Sequence, residues 1–384
     1  MMTEPRIRLG MVGGGQGAFI GGVHRIAARL DDRYELVAGA LSSRPDVAKA
    51  SAAELHIAPD RSYESYEAMF KAEAAREDGI EAVAIVTPNH MHFPVAKAAL
   101  EAGINVICDK PVTRTLEEAE ELAGIVAKSD AFFALTHNYS AYPLVRYARE
   151  LVERGELGNL RLVQVEYPQE WLTEPQDSDN KQAAWRTDPA RSGKAGCLGD
   201  IGTHAFQLAT FISQLELDVV SADLTAFVPG REVDDNVHAM MRFKGGAKGM
   251  LWTSQVAPGG ENGLRIRLYG DKAGLEWAQE QPNELWFTPL GGNHRRITRR
   301  NDNLDSDVAV RGIRTPSGHP EGYLEAFATL YTDVADVLVA KRKGESHPIE
   351  AWIPGIETGL MGMRFIDAVL NSSENNGQWT PLKS

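Results

Sequence analysis

Residues 82–86 read Ala-Val-Ala-Ile-Val, five apolar residues in a row with no polar alternate. A strand of that kind is apolar on both faces and must be covered on both, which points to a parallel sheet with helices on either side. Similar runs occupy 6–12, 35–41, 104–108 and 131–135, with helical stretches between them. One of those helices opens at Thr115 and Glu118, three residues apart in a capping-box pattern. Strands alternating with helices from residue 6 to 135 predict a doubly wound parallel sheet.

The pattern changes after Tyr142. One helix over 144–154 is followed by strand-like runs at 160–167, 219–227, 238–243, 248–254, 265–269 and 285–287, with a hairpin around Tyr269-Gly270-Asp271-Lys272-Ala273-Gly274-Leu275. That is the pattern of an α+β domain on a largely antiparallel or mixed sheet. The stretches 171–195 and 292–320 read as long loops, the second carrying four arginines within 295–300, and two helices end the chain. A length of 384 residues fits two domains at about 100–200 residues each.

The formal charge of −13 argues against nucleic-acid and anionic-membrane partners, which select clustered Lys and Arg. No apolar run approaches the ~18 residues of a membrane span, and the first residues show no signal-peptide pattern. Two cysteines, Cys108 and Cys197, make no disulfide framework. The expectation is a cytoplasmic protein with no membrane or nucleic-acid partner.

Three motifs carry chemistry. Gly13, Gly15 and Ala18 fit G-x-G-x-x-G/A between the first strand and the first helix, where a tight turn and a helix N-terminus can hold a pyrophosphate; a plain turn is the alternative. The second strand ends at Leu41-Ser42-Ser43-Arg44, without the acidic residue that would hold a ribose 2′-hydroxyl. Arg44 with Ser42 and Ser43 either accommodates a 2′-phosphate, which tilts the cofactor toward NADP, or is a solvated charge. Next, Cys108-Asp109-Lys110-Pro111 stops a buried strand at a proline and leaves Lys110 at a carboxyl end of the sheet, where ligands bind in open α/β folds. Third, Asp200 and His204 share one face at a helix start. They are an N-cap and a core histidine, an acid/base pair, or half of a metal site with His90 and His92. The metal reading lacks a further ligand, and no metal is expected.

Taken together, Val12-Gly13-Gly14-Gly15, Thr87-Pro88-Asn89-His90-Met91-His92 before Asp109-Lys110-Pro111, and Gly199-Asp200-Ile201-Gly202-Thr203-His204 resemble the Gfo/Idh/MocA family, relatives of glucose–fructose oxidoreductase and inositol dehydrogenase. Asp109 stands where the family usually has Glu, and Gln207 where it usually has Asp. The resemblance implies an α/β chain. An N-terminal Rossmann domain over 1–138 would bind NAD or NADP. An α+β domain over 139–384 would carry a large open, mostly antiparallel sheet, with the last helix packing back toward the Rossmann domain.

It also implies hydride transfer on a hydroxyl carbon of a sugar or cyclic polyol, and a homodimer or homotetramer. Carried over by position, Lys110, Asp200 and His204 are catalytic. Gly13, Gly15, Gln16, Ala18, Ser42, Ser43, Arg44, Thr87, Asn89, His92, Asp109, Lys110 and Asn138 line the cofactor. Lys110, Tyr139, Trp171, Trp185, Arg186, Asp200 and His204 face the substrate. Either His204 or Lys110 is the base. A nucleotide-binding sensor without turnover is the alternative.

Overall fold

The computed structural model describes residues 5–175, 186–299 and 304–383. By its contacts the chain divides into two units, residues 1–138 with 323–360, and residues 139–322 with 361–384.

The first unit is built on five parallel strands: β1 (Ile7–Gly13), β2 (Tyr34–Ala40), β3 (Ala82–Val86), β4 (Asn105–Cys108) and β5 (Phe133–Leu135), in the order β2-β1-β3-β4-β5. All five residues of β3 are buried, as a central strand requires. Helices α1 (Phe19–Leu30), α2 (Pro45–Glu54), α3 (Tyr66–Ala74), α4 (His92–Glu101) and α5 (Leu116–Val126) connect them, and α5 has the Thr115/Glu118 capping box. Helix-forming residues from far along the chain also join this unit. The long helix 323–342 packs on α1 through His24, Tyr331 and Phe327, and Pro354 accepts the backbone N–H of the edge residue Leu135 at 2.8 Å.

The second unit starts with α6 (Pro143–Glu153) and β6 (Leu160–Pro168). Helix α7 (Thr203–Ser213) and strands β7 (Leu217–Thr225), β8 (Asn236–Phe243), β9 (Lys248–Ser254), β10 (Arg265–Gly270), β11 (Ala273–Ala278), β12 (Glu284–Pro289), β13 (Arg295–Thr298) and β14 (Thr380–Pro381) follow. The long helix α8 (Tyr323–Arg342) belongs to the first unit, and α9 (Ile356–Glu374) runs from the first unit into the second.

The nine strands form one sheet, β13-β12-β11-β10-β6-β9-β8-β7-β14, antiparallel except for the β6–β9 pair. Val163, Val165, Ala239, Met241, Leu251, Ile266 and Leu268 bury one face, against which α7 lies. The opposite face exposes Leu162, Met240, Met250 and Tyr269.

Strand β13 corrects the reading of 292–320 as loop. Only four residues long, it is too short to show alternation, and it pairs with β12 at the edge of the sheet. Of the arginines there, Arg299 is buried and ion-paired with Glu321 at 3.0 Å. No helix among the described residues is long and apolar enough to cross a membrane.

Candidate active site

In the first unit, β1 runs into a turn where Gly13 and Gly14 have φ of +82° and +73°, a region that side chains resist. The turn is tied to its neighbours. Gly15 N–H donates to the Leu41 carbonyl at 3.1 Å, Gln16 N–H to Ser51 Oγ at 3.0 Å, and the Gln16 amide to Glu54 at 3.0 Å. Helix α1 then starts with no side-chain cap and no acidic residue in its first turn, so its N–H groups and positive dipole end suit an anion.

The close approach of helix to turn falls at Gly21, not at Ala18. A Cβ on Gly21 would lie 2.4 Å from Gly14 Cα, whereas Ala18 is the half-exposed residue preceding the helix. Three extra residues in the turn, Gln16-Gly17-Ala18, displace the third small position beyond the spacing sought in the sequence. Arg44, the residue offered for a 2′-phosphate, is exposed and pairs with Asp46 at 2.7 Å, while its N–H donates to Ser42 Oγ. Ser43 is exposed.

At the carboxyl end of β3, Thr87 Oγ1 is buried with no hydrogen-bond partner among the described residues, and the same holds for Asn138 Nδ2 after β5. Orphaned polar atoms at the ends of these strands, with the open α1 terminus, fit a bound dinucleotide. Asn89 is buried in the turn that follows β3. His92 is buried too, its ring nitrogens 2.7 Å from the Pro111 carbonyl and 2.9 Å from the Thr87 carbonyl. Both nitrogens face the backbone, so this side chain ties the two strand-end loops together.

Asp109 accepts from Thr136 Oγ1 at 2.8 Å and from the Lys110 N–H at 2.9 Å, and the Lys110–Pro111 peptide is cis. Two buried histidines missed by sequence reasoning lie in the same unit. His137 is pushed down to about 3 by burial and then by the charge of Lys110; His24, bonded to the Tyr331 hydroxyl at 2.8 Å, is pushed down to about 4 by burial. Both are neutral at physiological pH. Nothing local in the sequence marks either for burial: His24 lies within α1 and His137 just after β5.

In the second unit, Leu198–Gly202 is a single π-helical turn leading into α7. Such insertions recur at functional sites. Asp200 is therefore not the helix N-cap. Its Oδ2 accepts from Arg186 Nε at 3.1 Å and from Gln255 Nε2 at 2.9 Å. His204 is buried on the first turn of α7, its ring edge-on to Tyr139 with centroids 4.8 Å apart. Gln207 Oε1, one turn further, is buried with no partner among the described residues.

The Tyr139 hydroxyl lies 2.6 Å from that of Tyr167, which donates to Asn262 at 2.7 Å; Gln169 donates to the same Asn262 oxygen and accepts from the Trp171 indole at 2.9 Å. Burial pushes the Tyr139 hydroxyl up, so it titrates well above neutrality. The Arg186 guanidinium lies 5.8 Å from the Trp171 ring centre. Trp185 lies outside the described residues. Among the described residues no three His, Cys, Asp or Glu side chains are grouped to hold a metal ion.

Residues 7–137 match the family model described as an oxidoreductase family with an NAD-binding Rossmann fold, and residues 145–276 match its C-terminal domain model. The chain belongs to the Gfo/Idh/MocA oxidoreductase family.

Within this family, an oxidoreductase from Sinorhizobium meliloti is 54% identical, with a TM-score of 0.90 over 98% of this chain and 99% of its own. An inositol dehydrogenase homolog from Azotobacter vinelandii, complexed with NADH and myo-inositol, is 34% identical, with a TM-score of 0.90 over 98% and 97% of the two chains. Levoglucosan dehydrogenase of Pseudarthrobacter phenanthrenivorans is 29% identical over 340 residues, 82% of each chain. The Gfo/Idh/MocA Rossmann sheet is the five-stranded one, and the candidate residues Asp200 and His204 fall within the match to the C-terminal model.

Proposed function

We propose that this oxidoreductase is an NAD-dependent dehydrogenase acting on a secondary hydroxyl of a cyclic polyol or sugar. The observation that carries the reading is Lys110, at the carboxyl end of β4 in the unit whose glycine turn opens helix α1. Relatives that bind myo-inositol or act on levoglucosan support the substrate class, and the complex with NADH supports the cofactor. The Arg44–Asp46 pair supports NAD over NADP, because the cation available to a 2′-phosphate already faces a carboxylate.

The α1 terminus with Gly13, Gly14 and Gly15 would hold the pyrophosphate, and Thr87 and Asn138 the nicotinamide end. When bound, the nicotinamide supplies the hydride acceptor. Lys110, as a cation, draws electron density from the carbinol oxygen and stabilises alkoxide character there. His204 takes the hydroxyl proton, as a neutral imidazole can near pH 7. Asp200, its charge balanced by Arg186, binds a neighbouring hydroxyl. An acceptor-only carboxylate suits a neutral, hydroxyl-rich ligand.

Purified protein is assayed with NAD+ and with NADP+ against inositols, aldoses and anhydrosugars. The expected result is NADH formation with one or a few of them, and a higher kcat/KM with NAD+. Dinucleotide binding without reduction across the panel would point to a sensor instead.

A further inference from the structure

Two buried carboxylates beside Asp200 have no place in the chemistry above. Asp234 and Asp235 occupy the turn that leads into β8. The Asp234 carboxylate accepts the backbone N–H of Gly196 and of Leu198, each at 2.7 Å, and its carbonyl accepts that of Cys197 at 2.9 Å. Gly196 sits so close that a Cβ there would lie 2.3 Å from the Asp234 carbonyl oxygen. The segment entering the π turn is thus fixed through its backbone.

Asp235 organises the other side. Its carboxylate accepts from the N–H groups of Phe227 and Val228 and from Arg231 at 3.2 Å, a pair almost fully withdrawn from solvent. The Asp235 carbonyl accepts Gln255 N–H at 2.8 Å, the Gln255 carbonyl accepts Leu172 N–H at 3.1 Å, and the Leu172 carbonyl accepts from Arg231 at 3.0 Å. This closed ring holds the main chain of Gln255, a residue only 2% exposed, and the Gln255 amide donates to Asp200.

We infer that Gln255, locked by the Arg231–Asp235 ring, is the positioning residue for Asp200, and that Asp234 seats the backbone carrying it. The inference rests on Asp200 being the substrate-hydroxyl partner. A neutral amide suits this position because it donates to the carboxylate and fixes its orientation without adding a second cation to that of Arg186. An uncharged donor neutralises less of the carboxylate's negative charge than a cation would, which suits an acceptor of hydroxyl protons. Misplacing a binding carboxylate by about 1 Å is expected to cost far more in rate than in fold.

Full-length Asp200→Asn, Gln255→Leu and Gln255→Glu are compared with the native protein, with NAD+ and the best polyol or sugar of the panel. NADH affinity and urea midpoints serve as checks on folding. Gln255→Leu is expected to lower kcat/KM tenfold or more while NADH affinity stays within twofold. Gln255→Glu is the diagnostic variant. Protonated, its carboxyl donates to Asp200 as the amide does; ionised, it repels Asp200. Its kcat/KM relative to the native protein therefore falls as pH rises.

Among the described residues, the titratable groups seen to interact with Asp200 are Arg186, Tyr139 and Cys197, and His204 lies one turn further along the same helical segment. Burial keeps the Tyr139 hydroxyl and the Cys197 thiol protonated. The His204 imidazole is present in the native protein and the variant alike. If Asp200→Asn is crippled while both Gln255 variants match the native protein, or Gln255→Glu gives a ratio flat with pH, the positioning role is overturned. If Asp200→Asn is fully active, or no substrate is found, the underlying reading fails and the inference with it.

Discussion

Replacing Gly21 with alanine separates the nucleotide-binding role of the glycine turn from ordinary helix energetics. A Gly→Ala change inside a helix normally stabilises by about 0.5–1 kcal/mol. Gly22 offers that background, since a Cβ there meets nothing nearer than Arg25 Nη2 at 3.9 Å. At Gly21 the new carbon would lie 2.4 Å from Gly14 Cα and 2.8 Å from Gly14 O. The first of these is more than ~1 Å short of the separation at which carbon atoms pack, and both obstacles are backbone.

Helix α1 and the Gly14 turn must therefore move apart, at an overpacking cost of about 1–3 kcal/mol. These are the two parts proposed to hold the pyrophosphate, so dinucleotide affinity should fall at least tenfold, or about 1.4 kcal/mol. Titration of NADH into the native protein, Gly21→Ala and Gly22→Ala, with urea unfolding of each, reads both quantities. Native affinity in Gly21→Ala, together with a stability equal to that of Gly22→Ala, would refute the reasoning.

Lys110→Ala should cut kcat by at least ~100-fold, as expected for loss of transition-state charge stabilisation, while NADH affinity changes little; stopped-flow turnover and a binding titration check this. His24, held near 4 in the fold against an ordinary value near 6.5, is neutral in both states above pH 6.5. As pH falls below that, the unfolded chain takes up the proton first, so stability declines by ~1.4 kcal/mol per pH unit until about pH 4. Between pH 6.5 and 5, urea unfolding of the native protein should therefore lose about 2 kcal/mol more than that of His24→Gln. The exposed Leu162, Met240, Met250 and Tyr269 lie on one open sheet face, whose burial is expected to drive homo-oligomerisation. Sedimentation should then give a mass above 42.0 kDa that falls toward it in Met250→Asp.

Much of the fold was readable because its signals are local. Ala82–Val86 announced a central strand, Thr115 and Glu118 a capping box, and Pro111 the end of β4. What escaped the sequence depends on partners distant in the chain. Gly21 matters only because Gly14 faces it, and an extended turn moved it out of the expected spacing. The π turn has no residue signature, so an N-cap stayed among the readings of Asp200 until its place inside that turn, with Arg186 and Gln255 engaging it, was seen. Gln255, Asp234 and Asp235 are far from Asp200 in the chain and resemble ordinary loop polars. Arg299 likewise reads as one of four loop arginines until Glu321, 22 residues on, is seen to pair with it.

Hydride transfer from the carbinol carbon is tested by following the hydrogen itself. A polyol or sugar from the panel, deuterated at the carbinol carbon, is incubated with the protein and NAD+. Deuterium is expected at C4 of the reduced nicotinamide, with a primary isotope effect on single-turnover reduction, and in Lys110→Ala the same transfer should run at least ~100-fold more slowly. Reduction without deuterium transfer, or no reduction with any panel compound despite tight NADH binding, would contradict hydride transfer from that carbon.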